Sequence, residues 1–284
     1  MAVTLGILTP ALTLVPRGHA RWERDATIED VARIAQAADR LGYDHLTCSE
    51  HVAVPETAVD VRGGRYWDPL ATFGYLAAVT ERIRFATDVL VLGYHHPMAI
   101  AKRYGTLDRV SNGRLVLGLG VGTLEEEFVL LDAPFDDRGP RADDALRALR
   151  AALSDPIPSY TGEYYAFEGM VLDPTPVQAH VPFWIGGRSA RSLRRAVELA
   201  DGWCPFWLDP AKAKEWLARH ELPAGFEVVL QTDVPVDPSA DPEGARAAAQ
   251  RLVDAGATML SLRLVHHSVD HYIEQLEAMA HLVS

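Results

Sequence analysis

The chain has 284 residues, of which 48% are hydrophobic, and a net charge of −12. An acidic balance disfavours nucleic-acid binding, which needs a basic surface, and no apolar stretch approaches the roughly 18 residues of a membrane span. The apolar N-terminus carries no basic residue before Arg17, which argues against a secretory signal. Cys48 and Cys204 lie in apolar contexts typical of buried thiols in a reducing compartment. We therefore expect a cytoplasmic protein.

Strand and helix patterns alternate along the whole chain. Apolar runs of strand length lie at 3–9, 43–49, 83–91, 114–121, 182–186, 202–207, 226–234 and 258–265. The clearest helical spacing spans 28–41, with Thr27 placed to cap it. Asp68-Pro69 and His96-Pro97 are typical helix starts, because Asp caps a helix and Pro is tolerated in its first turn. Further helices are predicted at 141–153, 190–200, 210–220, 241–255 and 269–283.

This pattern amounts to eight strands and eight helices in strict alternation. An open doubly wound sheet could hold it, but a chain of this length fits a (β/α)8 barrel better, since such barrels form one domain of about 250 residues. The long irregular segment 154–181 follows the fourth βα unit and contains a short predicted hairpin from Tyr160 to Val171. We expect one α/β domain, a TIM barrel over 1–284.

Three glycines alternate along the fourth predicted strand, at Gly118, Gly120 and Gly122. Side chains on a strand alternate between its faces, so these glycines leave one face bare, whereas Leu117 and Leu119 can pack on the other. A strand bare on one face indicates that something flat, or another backbone segment, lies close against it.

Candidate acid–base groups follow the second and third predicted strands, and functional residues of a barrel collect at such C-terminal ends. His51 stands beside Glu50, and histidine titrates near neutrality. Adjacent strand residues face opposite sides, so the two need not touch. Asp88 interrupts an apolar strand and must find hydrogen bonds or a cation, for which Arg263 is a candidate partner.

A glycine-rich turn follows the fifth predicted strand at a helix start, comprising Gly186, Gly187, Arg188 and Ser189. Glycines let a backbone approach a ligand, and a helix N-terminus attracts anions. Further arginines follow at Arg191, Arg194 and Arg195. The segment therefore fits either a phosphate site or a plain turn with a solvated basic helix face.

Metal binding is the rival use of the histidines, which stand at His51, His95, His96, His266, His267 and His271. No pair of Cys or His residues has the spacing of a zinc site. We therefore predict no metal.

Four segments of the chain resemble the bacterial luciferase-like superfamily of flavin and deazaflavin oxidoreductases, and the resemblance covers essentially the whole sequence. They are LTCSEHV at 46–52, the block 94–128, YTGEYYAFEG at 160–169, and 182–203. Within that superfamily, residues 50–55 resemble an actinobacterial branch of F420-dependent oxidoreductases.

The resemblance implies a cofactor ring at the C-terminal mouth of the barrel, near Gly120, Val121 and Gly122. It implies a phosphate site at the turn 186–189 and a non-prolyl cis peptide bond between Asp88 and Val89. It also implies proton transfer at the end of the second strand, by His51 with Glu50. A glutamate that serves as the acid in the sugar-phosphate dehydrogenase branch is replaced here by Thr123, which argues against that activity.

The resulting hypothesis is hydride transfer between coenzyme F420 and a small organic substrate. The alternatives are an FMN-dependent two-component monooxygenase and a flavin-binding protein without catalysis. Placement alone suggests five substrate-contacting side chains, Thr9, Trp67, Tyr94, His95 and Trp207. A homodimer is expected from family habit, with no nucleic-acid or membrane partner.

Overall fold

A computed structural model describes residues 3–16 and 18–283 of the chain. Its strands are, in chain order, β1 (Thr4–Ile7), β2 (His45–Cys48), β3 (Arg84–Thr87), β4 (Leu90–Val91), β5 (Leu115–Gly120), β6 (Tyr160–Thr161), β7 (Ala166–Phe167), β8 (Phe183–Gly186), β9 (Gly202–Cys204), β10 (Glu227–Gln231) and β11 (Met259–Leu262).

Eight of these strands close into a parallel barrel. They run in the order β3, β2, β1, β11, β10, β9, β8 and β5, and β5 pairs back onto β3. The short strand β4 continues the third barrel strand after a break at Asp88 and Val89, and it also pairs with β5. The predicted (β/α)8 barrel is therefore confirmed, and all eight predicted strands are present with shorter ends.

The helices surround this barrel. They are α1 (Ile28–Arg40), α2 (Val59–Arg62), α3 (Pro69–Ala77), α4 (Pro97–Val110), α5 (Glu125–Leu130), α6 (Arg138–Ser154), α7 (Ala190–Leu199), α8 (Pro210–Leu217), α9 (Pro242–Asp254) and α10 (Val269–Val283). Thr27, Asp68 and His96 cap α1, α3 and α4 as predicted. The short helices α2 and α5 were not predicted, because four to six residues are too few to show helical periodicity.

The irregular segment between α6 and β8 carries the predicted hairpin in a shorter form. Strands β6 and β7 pair antiparallel, with Tyr160 opposite Phe167. The carboxylate of Asp144 on α6 accepts hydrogen bonds from the Tyr160 hydroxyl and from the backbone N–H groups of Tyr164 and Tyr165. One buried acid therefore fastens the hairpin to the outside of the barrel.

Apolar side chains fill two separate regions. The larger lies between strands and helices and includes Leu117 and Leu119, on the face predicted to meet helices. The smaller lies inside the barrel and comprises Ala86, Val116, Trp184, Cys204, Val229 and Met259. Both cysteines are free and buried as expected, and burial raises the pKa of each thiol.

The alternating glycines face the bulged third strand. A Cβ atom on Gly118 would lie 1.8 Å from the carbonyl oxygen of Thr87, and one on Gly120 would lie 2.5 Å from a methyl carbon of Val89. The other methyl group of Val89 closes in the same way on Gly186. Of the two explanations for the bare face, the structure supports a neighbouring backbone segment for Gly118, and that segment's Val89 side chain for Gly120.

We expect Gly118→Ala to destabilise the barrel by about 3 kcal/mol or more, since overpacking costs typically 1–3 kcal/mol and here the obstacle is backbone that cannot rotate away. Urea denaturation measures the effect. Gly74→Ala on the exposed face of α3 is the matched control, because a Cβ there meets nothing within 4 Å. Alanine favours a helix over glycine by up to about 1 kcal/mol, so the control should be neutral or stabilising. Equal stability of the two variants would contradict this packing.

Candidate active site

The candidate residues meet at the mouth formed by the C-terminal ends of the barrel strands. His51 lies in the loop after β2, and Asp88 and Val89 lie between β3 and β4. Tyr94 and His95 precede α4, and the short helix α5 follows β5. Parallel strands end on the same side of a barrel, so loops that are distant in sequence converge here.

His51 is held by an acid that the sequence did not single out. Its Nδ1 lies 2.7 Å from Oε2 of Glu127, on α5. The carboxylate of Glu127 is fully buried, whereas the His51 side chain is 16% exposed. The ring of Tyr66 packs edge-on against the imidazole, with 4.5 Å between ring centroids. Nε2 is therefore the ring nitrogen of His51 left without a hydrogen-bonding partner among the described residues.

Four hydrogen-bonding groups converge on the Glu127 carboxylate. Besides His51, the Tyr94 hydroxyl donates to Oε2 at 2.6 Å, and the backbone N–H groups of Val52 and Ala53 donate to Oε1 at 2.5 and 3.2 Å. Burial by itself raises the pKa of Glu127, but the hydrogen bonds from His51, Tyr94 and Val52 outweigh it, so the pKa is lowered. Glu127 is thus a buried, charged anchor for two loops, the one after β2 and the one before α4.

The carboxylate of Glu50 takes partners other than His51. Its Oε1 lies 2.7 Å from Nε2 of His95, and its Oε2 accepts the backbone N–H of Val91 at 2.7 Å. Glu50 is buried and thus braces the chain just after the third-strand bulge. The two adjacent residues therefore have different partners, and the mouth holds two separate carboxylate–histidine pairs.

Asp88 opens the bulge and turns its carboxyl group into the barrel. The peptide bond between Asp88 and Val89 is cis, as expected from the family resemblance. The Asp88 carbonyl oxygen accepts the Ser49 hydroxyl at 2.7 Å. Gln231, rather than the candidate Arg263, partners the carboxyl group, donating to Oδ2 at 3.0 Å. Arg263 instead donates to the backbone of Asp233, so its suggested pairing with Asp88 was wrong.

The Asp88 carboxyl group has few polar neighbours. Although the residue as a whole is half-buried, its Oδ1 is buried with no hydrogen-bonding partner, beside a void of about 10 Å³. Burial raises the pKa of Asp88 to about 7, although the hydrogen bond from Gln231 lowers it in part. Asp88 therefore changes charge near neutral pH.

The predicted anion-binding turn leads into a helix N-terminus, as expected. Ser189 caps α7 by accepting the backbone N–H of Ser192, and Gly187 has the positive φ of 105° that glycine tolerates best. The first-turn N–H groups at Ala190 and Arg191 have no intrahelical partner. Arg188 is exposed, with its guanidinium 5.8 Å from the ring centroid of Phe206.

The basic cluster after this turn divides into two groups. Arg191 and Arg194 are exposed, like Arg188, whereas Arg195 is buried in an ion pair with Asp143 on α6. Arg195 therefore fastens α7 to α6, and the other three arginines remain accessible to an anion.

The five suggested substrate-contacting residues differ in their freedom to bind. The hydroxyl of Thr9 accepts the backbone N–H of Thr47 at 3.1 Å. Tyr94 is hydrogen-bonded to Glu127, and His95 is hydrogen-bonded to Glu50. Trp67 is half-buried and packs against the core. Trp207 is 54% exposed at a positive φ of 48°. Trp207 is accordingly the most open of the five.

Three residues at the mouth were missed. Glu127 stands last in a run of three glutamates that reads as a solvated helix face, and only the fold shows that this one is buried. Gln231 ends a barrel strand, a position that could have drawn attention to it. Tyr66 lies in a loop without a recognisable pattern. No sequence signal predicts its contact with His51.

The remaining histidines do not assemble a metal site in the described ranges, where no three His, Cys, Asp or Glu side chains are grouped to bind a metal. His267 stacks on His271 with ring centroids 4.1 Å apart, and His266 accepts the Trp22 indole N–H at 3.0 Å. Within the same ranges, no helix is long and apolar enough to cross a membrane.

Comparison with known proteins gives matches to both the sequence and the fold. The family model for luciferase-like monooxygenases matches residues 4–281. A Mycobacterium tuberculosis protein, provisionally named a coenzyme F420-dependent oxidoreductase, is 29% identical over 205 residues, which cover 66% of this chain and 54% of that protein.

Two solved structures share the fold across almost the whole chain. The monooxygenase RslO1 from Streptomyces bottropensis superposes with a TM-score of 0.78 at 19% identity, covering 98% of each chain. An F420-dependent secondary alcohol dehydrogenase, in complex with an F420–acetone adduct, gives a TM-score of 0.77 at 15% identity, covering all of both chains. At these identities the likeness concerns the fold alone.

Proposed function

We propose that this chain, which belongs to the luciferase-like monooxygenase family, transfers a hydride between coenzyme F420 and a small organic substrate. The observation that carries the proposal is the His51–Glu127 pair at the barrel mouth, because it provides an oriented proton donor and acceptor beside the expected ring position. The choice of F420 is supported by the F420-dependent relative and by the F420-dependent alcohol dehydrogenase of the same fold.

His51 would handle the proton that accompanies hydride transfer. Reduction of a carbonyl carbon places negative charge on its oxygen, and an imidazolium donates a proton to that oxygen, whereas oxidation of an alcohol needs the reverse transfer to neutral imidazole. Nε2 is the nitrogen available for either step, since Nδ1 is bound to Glu127. When bound, F420 supplies the hydride chemistry itself.

The turn at 186–189 fits the phosphate of such a cofactor. The exposed Arg188 and Arg191 flank the capped start of α7 in the sequence, and the exposed Arg194 follows in its second turn, in a chain that is otherwise acidic. Unpaired N–H groups at a helix start and nearby guanidinium groups both stabilise phosphate charge. Gly120, Val121 and Gly122 stay the proposed ring contacts, and Val89 is proposed to support the ring from the bulge.

Parallel titration of the purified protein with F420 and with FMN tests this proposal. We expect F420 to bind in the micromolar range and FMN at least 10-fold more weakly, followed by cofactor absorbance and fluorescence. Tight binding of FMN without affinity for F420 would overturn the cofactor assignment.

Two variants of Ser189 sharpen the titration. Asp and Asn both cap helices as well as Ser does, so each should preserve α7. Ser189→Asp adds a negative charge that repels phosphate and should weaken F420 binding at least 10-fold. Ser189→Asn adds no charge and should change binding little. Equal F420 binding by the two variants would contradict the proposal that this turn binds the phosphate.

A second candidate function is an FMN-dependent monooxygenase supplied with reduced flavin by a separate reductase. The matching family model and the fold likeness to the monooxygenase RslO1 favour it. It requires FMN binding and oxygen consumption that depends on reduced FMN. A flavin-binding protein without catalysis would instead leave reduced cofactor unchanged by a panel of alcohols, ketones and enones.

A further inference from the structure

We infer that Glu127 is a positioning residue that determines which nitrogen of His51 carries the proton. The inference rests on the proposed role of His51 and extends it to a residue on another loop. Glu127 follows the fourth barrel strand of the chain, on α5, whereas His51 follows the second. The buried acid thus reaches past the end of β3, which lies between these two strands, to a side chain that is partly exposed.

An ionised carboxylate only accepts hydrogen bonds. The lowered pKa of Glu127 keeps it ionised at neutral pH. Each of its neighbours must then donate, and this includes the Nδ1 atom of His51, 2.7 Å away. The neutral imidazole therefore carries its proton on Nδ1, and the second proton of the imidazolium is gained and lost at Nε2.

Two backbone N–H groups make the tautomer of His51 depend on which atom residue 127 places at the Oε2 position. Oε1 receives the N–H groups of Val52 and Ala53, so a glutamine at this position must place its amide oxygen there. Its NH2 group then occupies the Oε2 position and faces Nδ1 of His51. Because that amide nitrogen donates, Nδ1 must accept, and the neutral ring is forced to carry its proton on Nε2.

The imidazole ¹⁵N chemical shifts of the cofactor-free protein test the inference, measured at alkaline pH and assigned with His51→Gln. We expect a protonated Nδ1 in the wild type and a protonated Nε2 in Glu127→Gln. Glu126→Gln is the matched control, since Glu126 is exposed on the same helix and should leave the wild-type pattern unchanged. A wild-type His51 protonated on Nε2 would overturn the inference without any variant.

Tyr94→Phe provides a second test that does not depend on whether the Glu127→Gln variant folds. It removes one of the four donors but leaves the carboxylate, so we expect the proton on Nδ1 to stay. A tautomer that changes in Tyr94→Phe would show that the hydroxyl, not the acid, orients the ring, and would contradict the inference.

Turnover separates this inference from the proposed function. Loss of the correct tautomer in a serine protease triad costs about 10⁴-fold in turnover, and here we expect a loss of at least about 10²-fold for Glu127→Gln with F420 binding retained. If the tautomer switches but turnover does not fall, the role of His51 fails while the positioning by Glu127 stands. If the tautomer stays while His51→Ala is inactive, the positioning fails alone.

Discussion

Replacing His51 by alanine is expected to lower turnover by about 10²- to 10⁴-fold, the contribution typical of a positioned general acid or base. The imidazole is the partly exposed member of a pair whose acid is fully buried, and its removal takes away the Nε2 atom that is proposed to exchange the proton with the substrate. Stopped-flow absorbance of F420 with a panel of secondary alcohols, ketones and enones measures the effect.

Binding and stability should change little in this variant. The affinity for F420 should stay within a few-fold of the wild type, because His51 is expected to act on the proton rather than hold the phosphate. His180→Ala is the control, since His180 lies before β8, at the opposite end of the barrel, and should keep full turnover. Full turnover by His51→Ala would exclude the proposed role.

The second large effect concerns Asp88 and the pH dependence of stability. Replacement by asparagine keeps the size of the side chain and an oxygen that can accept from Gln231, but removes the titrating group. We expect Asp88→Asn to become more stable than the wild type as the pH rises from about 4 to above 7, by up to roughly 4 kcal/mol.

The sign follows from the direction of the shift. The folded state keeps the Asp88 proton up to about pH 7, whereas the unfolded chain loses it near the ordinary value of an aspartate. Between these values the unfolded state is favoured by ionisation, so the wild type loses stability as the pH rises. Below both pKa values the carboxyl group is neutral in the folded and the unfolded state, and its ionisation no longer lowers the stability of the wild type.

Urea denaturation of both proteins at pH 5 and pH 8 measures the difference, because all other titrating groups are shared and cancel. Asp60→Asn is the control, since Asp60 is exposed in α2 and should follow the wild-type pH dependence. If the stability of Asp88→Asn changes with pH in the same way as that of the wild type, the Asp88 carboxyl group is ionised in the folded state despite its burial.

The elements with strong local signals were predicted well. Alternating apolar runs and periodic helices defined the barrel strands and the eight long helices, and caps such as Thr27 and Asp68 marked where helices begin. Strand ends were predicted too far outward in several places, for example at 202–207, where the strand is Gly202–Cys204. Apolar residues continue beyond the last ladder hydrogen bond there, and composition alone does not show where pairing stops.

The hydrogen-bonding partners of the charged groups were harder to predict from the sequence. Local sequence suggested Arg263 for Asp88 and indicated only that Glu50 need not touch the adjacent His51. The partners are His95 for Glu50, Glu127 for His51 and Gln231 for Asp88. The true partners stand between 45 and 143 positions away along the chain. Hydrogen bonds form over about 3 Å in space, and only barrel closure brings such distant residues within that range.

By itself, the sequence determined the class of fold, the positions of strands and helices and the strand ends at which chemistry was to be sought, because these depend on periodicity and on local capping. The tertiary structure decided what faces the alternating glycines and which acid orients His51. Gly118 meets the Thr87 carbonyl group and Glu127 meets His51 only after the strands have closed into a cylinder. Contacts across a closed barrel depend on its geometry, which no local pattern records.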